Sequence, residues 1–274
     1  MIVRIPFFLP VWLGYSFLLM GSPHLMAQRP LYEKQENDRN DNEIIYNYYM
    51  QEHSFTTAAG AFLSHSYVHL SFSNRFFIKE YVEKELSYFH TRKKDKWRGS
   101  LRHSGLARYG KMVLSFSYAR ALTPQFGLGI GIDYLMEHAF QYDYRHSLTF
   151  ELSFQSYLGE KWIWGISLYN PARLKYGFTG TSVIPMSLRI NLAHRFTGKI
   201  LYYAAIEKWM PGHLDIGVGM AYHYASFIVS GNVGVRSAGL TFRFRFHSLL
   251  FQISSFYNYK LGFSPLLEGK YLFK

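Results

Sequence analysis

Apolar and polar side chains alternate with a period of two from about residue 62 to the end of the chain. Val68, Leu70 and Phe72 interleave with His69, Ser71 and Ser73, and Leu114, Phe116 and Tyr118 with Ser115, Ser117 and Ala119. The pattern returns as Leu128, Ile130, Ile132 and Tyr134 against Gly127, Gly129, Gly131 and Asp133, then as Leu148, Phe150, Leu152 and Phe154 against Thr149, Glu151, Ser153 and Gln155. Leu188, Ile190 and Leu192 against Arg189 and Asn191, and Phe242, Phe244 and Phe246 against Arg243, Arg245 and His247, continue it. Such alternation is the signature of strands with one apolar face. It predicts fourteen strands, near 65–73, 84–91, 97–104, 111–121, 126–137, 146–157, 162–170, 185–196, 200–209, 214–225, 227–234, 239–247, 249–259 and 265–273.

A soluble sandwich also alternates, so the period alone does not say whether the apolar face meets a core or lipid. Three features favour lipid. The strands are 8–12 residues long, near the roughly 9–11 of a tilted membrane strand. Several breaks are short and turn-like, as at Thr123-Pro124-Gln125, Leu158-Gly159-Glu160-Lys161 and Thr197-Gly198-Lys199. Aromatic residues such as Tyr142, Trp162, Tyr202, Trp209 and Tyr222 crowd the strand ends, where membrane–water girdles lie. The expected fold is therefore all-β: a transmembrane antiparallel up-and-down barrel of about fourteen strands in a Gram-negative outer membrane. An even count returns both termini to the periplasm, and the longest connection, 171–184, faces outward. The last strand sets Leu267, Gly269, Tyr271 and Phe273 opposite Glu268, Lys270 and Lys274, the aromatic-ended finish common in such barrels.

The first residues read differently. Arg4, a mostly apolar run from Ile5 to Met20 and the small Ala27 follow the layout of a secretory signal peptide, here residues 1–27. Residues 28–60 form a polar, Asn-rich leader, expected to stay in the periplasm or to fold into the barrel mouth as a plug, and residues 61–274 form the barrel. No later apolar run approaches the roughly 20 residues of a membrane helix.

Composition agrees. The chain is 19% aromatic, with 23 Tyr and 24 Phe, and has no cysteine. A closed barrel needs no disulfides, because each strand is paired on both sides. The net charge is +12; the leader holds three basic and six acidic side chains, leaving 26 basic and 12 acidic in residues 61–274. An export signal argues against nucleic acid as the partner of this charge. Outer-membrane lipid and lipopolysaccharide are the more natural partners.

Ser71-Phe72-Ser73-Asn74-Arg75-Phe76-Phe77-Ile78-Lys79-Glu80, the glycine-alternating strand ending in Asp133-Tyr134-Leu135, Tyr169-Asn170-Pro171-Ala172-Arg173, Ile184-Pro185-Met186-Ser187-Leu188-Arg189 and Leu261-Gly262-Phe263-Ser264-Pro265 resemble segments of the PorV/PorQ-like outer-membrane barrels. The resemblance covers roughly residues 66–274. It implies a FadL-related barrel and an accessory or docking role in type IX secretion, with secretion-system or surface proteins as partners. The alternative is a FadL-like or porin-like transporter of a hydrophobic or anionic solute.

No enzyme site is recognisable, and no cofactor or metal is implied. Gly127, Gly129 and Gly131 lie in a strand rather than opening a helix, so they make no dinucleotide loop; small residues facing a crowded lumen explain them. Arg236-Ser237-Ala238-Gly239 lacks the leading glycine of a nucleophile elbow, and the 12 His show no tight ligand spacing. Ser64, His65 and Ser66 leave open a hydrolase assembled across strands. Alternation puts Asp133, Glu151, Arg189, Arg243 and Arg245 inside the barrel, where the arginines either pair with Asp133 and Glu151 or line an anion path. Arg92, Lys93, Lys94 and Lys96 form a basic turn, either simply solvated or in contact with phosphate headgroups or an acidic partner.

Overall fold

A computed structural model describes residues 56–78, 81–106, 109–139, 144–159, 161–175 and 184–273. The expected signal peptide, and the leader up to residue 55, lie outside the described residues. The strands are β1 (Tyr67–Asn74), β2 (Val82–Arg92), β3 (Asp95–Leu106), β4 (Tyr109–Ala121), β5 (Phe126–Ala139), β6 (Arg145–Leu158) and β7 (Trp162–Tyr169). β8 (Met186–Arg195), β9 (Ile200–Met210), β10 (Leu214–Tyr224), β11 (Phe227–Gly234), β12 (Ser237–Phe246), β13 (Leu249–Asn258) and β14 (Gly262–Leu272) follow. Each pairs antiparallel with its sequence neighbours, and β1 pairs with β14 (Tyr67 opposite Leu272) to close a fourteen-strand barrel. β14 starts three residues before the predicted position, at Gly262, despite Pro265. Pro265 lies one residue beyond the last β1 partner of the strand, Leu266 opposite Ser73. A strand flank without a ladder tolerates a residue with no N–H.

The two faces settle the choice between sandwich and membrane barrel. Leu70, Leu114 and Leu148 are more than half exposed on the outer surface, whereas Thr149 and Gln155, pointing inward, are fully buried. A soluble sheet would place them the other way round. An apolar exterior around a polar interior, with no open sheet edge, is the arrangement that lipid permits. Two aromatic girdles bound the apolar band. At the rim where β1 begins and β14 ends, called the terminal rim below, Trp97 lies 4.4 Å from Tyr118 and Trp162 lies 4.1 Å from His194, ring centre to ring centre. At the opposite, distal rim, Tyr134 lies 5.8 Å from His146 and Tyr257 lies 4.9 Å from Phe263. Two-residue turns such as Lys93-Lys94 close hairpins at the terminal rim, and the longest connection, between β7 and β8, is at the distal rim. That asymmetry orients the terminal rim toward the periplasm.

Phe116, Ile132 and Phe150 stand side by side in the middle of the outer face. Ile132→Arg is expected to destabilise the barrel by ~2–4 kcal/mol, the cost of a guanidinium at the bilayer midplane. Urea unfolding in lipid bilayers measures it, and a change below about 1 kcal/mol would mean that this face does not meet hydrocarbon.

Candidate functional site

The barrel carries a piece of its own chain inside it. Thr57-Ala58-Ala59-Gly60-Ala61-Phe62 form a short 3-10 helix, the inner turn below, every residue of which is buried. The small side chains let it lie close to the wall, and three glycines of β5 make the seat. A Cβ on Gly129 would overlap the backbone of Thr57 and Ala58; one on Gly127 would come within 2.9 Å of Ala61 and the Phe62 ring; at Gly131 the nearest atom is 3.6 Å away. Two polar anchors come from β6: Thr57 N donates to Glu151 Oε1 (3.2 Å) and Ala58 N to Ser153 Oγ (2.8 Å). Phe62 meets Tyr157 edge-on at 4.8 Å. With Leu63, it fills a collar of inward apolar side chains near the terminal rim that includes Tyr67, Phe89, Ile163, Leu201, Ile228 and Leu250. That end of the lumen is therefore packed with buried apolar side chains. From Leu63 back to Thr56 the chain climbs from the rim toward mid-barrel. The turn runs to Phe62, two residues past the expected end of the leader.

Beyond the collar lies a layer of ion pairs. Glu85 accepts from Arg98 (2.7 Å) and Arg102 (2.9 Å), Glu83 from Arg75 (2.9 Å), and Glu207 from Arg189 (2.6 Å). His69 bridges Ser87 (3.3 Å) and Glu268 (3.2 Å). At the distal rim Asn170 fixes both ends of the β7–β8 connection: Nδ2 donates to Ile184 O (2.6 Å) and Oδ1 accepts from Leu174 N (2.9 Å). Ile184 is thereby buried against Val113 and Leu135.

The residues singled out from sequence are dispersed. Glu151 holds the inner turn. Asp133 is hydrogen-bonded by Ser115 and Tyr169. Arg189 takes Glu207, its cross-strand neighbour, as its ion-pair partner rather than Glu151 or Asp133. Arg243 is buried and donates through Nε to Gln252 Oε1 (3.0 Å), and Arg245 donates to His247 O (2.8 Å) near the terminal rim. The basic turn divides: Arg92, Lys93 and Lys94 are exposed, whereas alternation turns Lys96 inward, where it is buried. Glu85, Glu207 and Glu268 are lumen partners that the sequence reading did not single out.

Ser64 Oγ and His65 Nδ1 lie 2.7 Å apart at the terminal rim. Burial and the neighbouring Arg245 guanidinium lower the His65 pKa. A cation beside the imidazole is the opposite of the carboxylate that orients a catalytic histidine.

No family model matches the chain, and no curated protein is significantly similar to it. Solved structures are similar in fold. The CymD monoaromatic hydrocarbon channel superposes with a TM-score of 0.58 and 11% identity, over 80% of this chain and 91% of that one. The Pseudomonas putida toluene transporter TodX gives 0.61 and 9%, over 80% and 92%. A TodX deltaS2S3 mutant, a monoaromatic hydrocarbon channel, gives 0.62 and 10%, over 79% and 92%. At these identities the likeness is one of fold. That fold, together with the lipid-facing exterior, makes the protein an outer-membrane β-barrel.

Proposed function

We propose that this outer-membrane barrel is a solute channel closed in its resting state from the periplasmic side by residues 56–63. The seat of the inner turn carries the reading. A barrel serving only as a rigid platform can fill its lumen with side chains from its own strands. This one leaves Gly127, Gly129 and Gly131 bare and fills the space with a segment outside the strand ladder. Such a segment can leave without breaking a strand pair. The channel neighbours share the architecture and support transport over docking in secretion. The arginines do not form a ladder for anions, since Arg189 and Arg243 are engaged with Glu207 and Gln252.

Planar-bilayer recording tests the reading. The wild type is expected to open rarely. Glu151→Ala removes the carboxyl acceptor of the Thr57 N–H and leaves a buried donor unpaired, at a cost of ~1–3 kcal/mol, and should raise the open fraction by about tenfold. A barrel that stays silent both as wild type and with the anchor removed would reject it.

A further inference from the structure

Above the collar the inner turn packs chiefly against β3–β7, so it fills the lumen mainly on one side. On that side inward residues stay buried up to the distal rim, as at Lys111, Glu137, Ser147 and Ser187. On the opposite wall, inward positions from mid-barrel to the distal rim are only half-buried: Tyr203, Gly217, Gly219, Asn232, Thr241 and Phe256. Ser230 and Ser254, the cross-strand neighbours of Thr241, and Arg243 and Gln252 one step nearer the terminal rim are buried and close the space. The lumen is thus a one-sided vestibule, open outward and ending at mid-barrel.

Its lining has a definite chemistry. The Tyr203 ring lies across Gly219, where any Cβ would overlap it, and its hydroxyl is tied to Gly231 O at 3.3 Å. Phe256 lies across Gly239 in the same way, 2.8 Å from where a Cβ would stand, beside the Asn232 amide. Thr241 Oγ1 donates to Ser254 Oγ at 3.0 Å and keeps its lone pairs. At the mouth of the same wall, Trp209 Nε1, His213 Nε2 and Asp215 Oδ1 are buried with no hydrogen-bond partner among the described residues, and Trp209 is only 2% exposed. Nearby, Glu207 is neutralised by Arg189.

Two ring faces among hydroxyl, amide, indole and carboxylate groups suit a ligand with C–H faces and a rim of hydroxyls. A hydrocarbon would leave these polar groups desolvated and unpaired. An anion would have to compete for cations already engaged: Arg236 lies beside Asp215 at the mouth, and Arg243 lies beneath the wall and donates to Gln252. We propose that the vestibule binds a small neutral sugar, with Tyr203 and Phe256 as its platforms and Asn232 and Thr241 as hydrogen-bonding partners. As the entry site of a channel it rests on the reading above, but binding is measured independently of conductance.

The experiment is titration calorimetry on the full chain folded in detergent, with maltose, cellobiose and sucrose as probes and toluene and galacturonate as comparators. At least one disaccharide is expected to bind saturably. Tyr203→Ala and Asn232→Ala should each weaken it about tenfold, the effect of one ring contact or hydrogen bond. A boiling-dependent gel shift in each variant shows that the barrel is folded. Binding of no disaccharide, binding of toluene or galacturonate instead, or sugar binding untouched by both variants would overturn the proposal. Sugar binding by a barrel that never conducts would leave the vestibule standing and remove the channel.

Discussion

Gly129→Val is expected to hold the channel open. Its Cβ would occupy the position of the Ala58 amide and the Thr57 carbonyl carbon, which are backbone atoms that no rotamer change can move. The strand cannot yield either, because Gly129 is paired on both sides, with Ala119 on β4 and Ser153 on β6. Overpacking of this kind costs ~1–3 kcal/mol or more, comparable to the two hydrogen bonds that anchor the turn, so the turn should leave its seat. The expected signature is steady conductance in planar bilayers and rapid thiol labelling of an added Ala58→Cys, with the barrel still heat-modifiable.

A graded series separates this mechanism from general damage. Gly131→Ala meets nothing closer than 3.6 Å and should behave as wild type; Gly127→Ala presses on Ala61 and the Phe62 ring, which can shift, and should open the channel partially. Gly99→Val, on the outer face with nothing within 4 Å, should have no effect. Equal effects across the series, or a closed Gly129→Val channel, would mean that the turn is a fixed part of the core.

The fourteen strands were legible because lipid outside and polar groups inside impose a strict period of two on every strand. What that period cannot tell is which inward residue meets which. Arg189 was legible as an inward cation, yet its partner follows only from register: the three-residue turn 197–199, closed by the Phe196 N–H on Ile200 O, sets Arg189 opposite Glu207. The two-residue turn 247–248 likewise sets Arg243 opposite Gln252. Counting back from these short turns would have found both pairs. The seat for the inner turn was less accessible. The small residues of β5 pointed to a crowded lumen, but Thr57-Ala58-Ala59-Gly60-Ala61-Phe62 has neither a strand nor a helix period. Its contact with Glu151 spans 94 residues of sequence.

Glu85→Ala is expected to produce the largest loss of stability of any single lumen substitution. The carboxylate is 5% exposed and accepts from two guanidinium groups, with Arg98 on Oε1 and Arg102 on Oε2. Removing it takes from Arg98 its carboxylate at 2.7 Å and leaves Arg102 the longer contact with Glu83, at 3.5 Å; breaking a buried pair from one side costs ~3–5 kcal/mol. Glu83→Ala should cost less, because it removes one close guanidinium contact, Arg75 at 2.9 Å, rather than two, and Arg102 keeps Glu85. Adding Arg102→Met to Glu85→Ala should recover part of the loss, since a buried guanidinium that has lost its closest carboxylate is then gone. Urea unfolding of the bilayer-inserted barrel gives all three values. A loss below about 1 kcal/mol for Glu85→Ala would mean that water reaches these arginines and that the β1–β3 wall is part of the conduit. The expected large loss would make that wall a permanent filling, with the solute path confined to the opposite side.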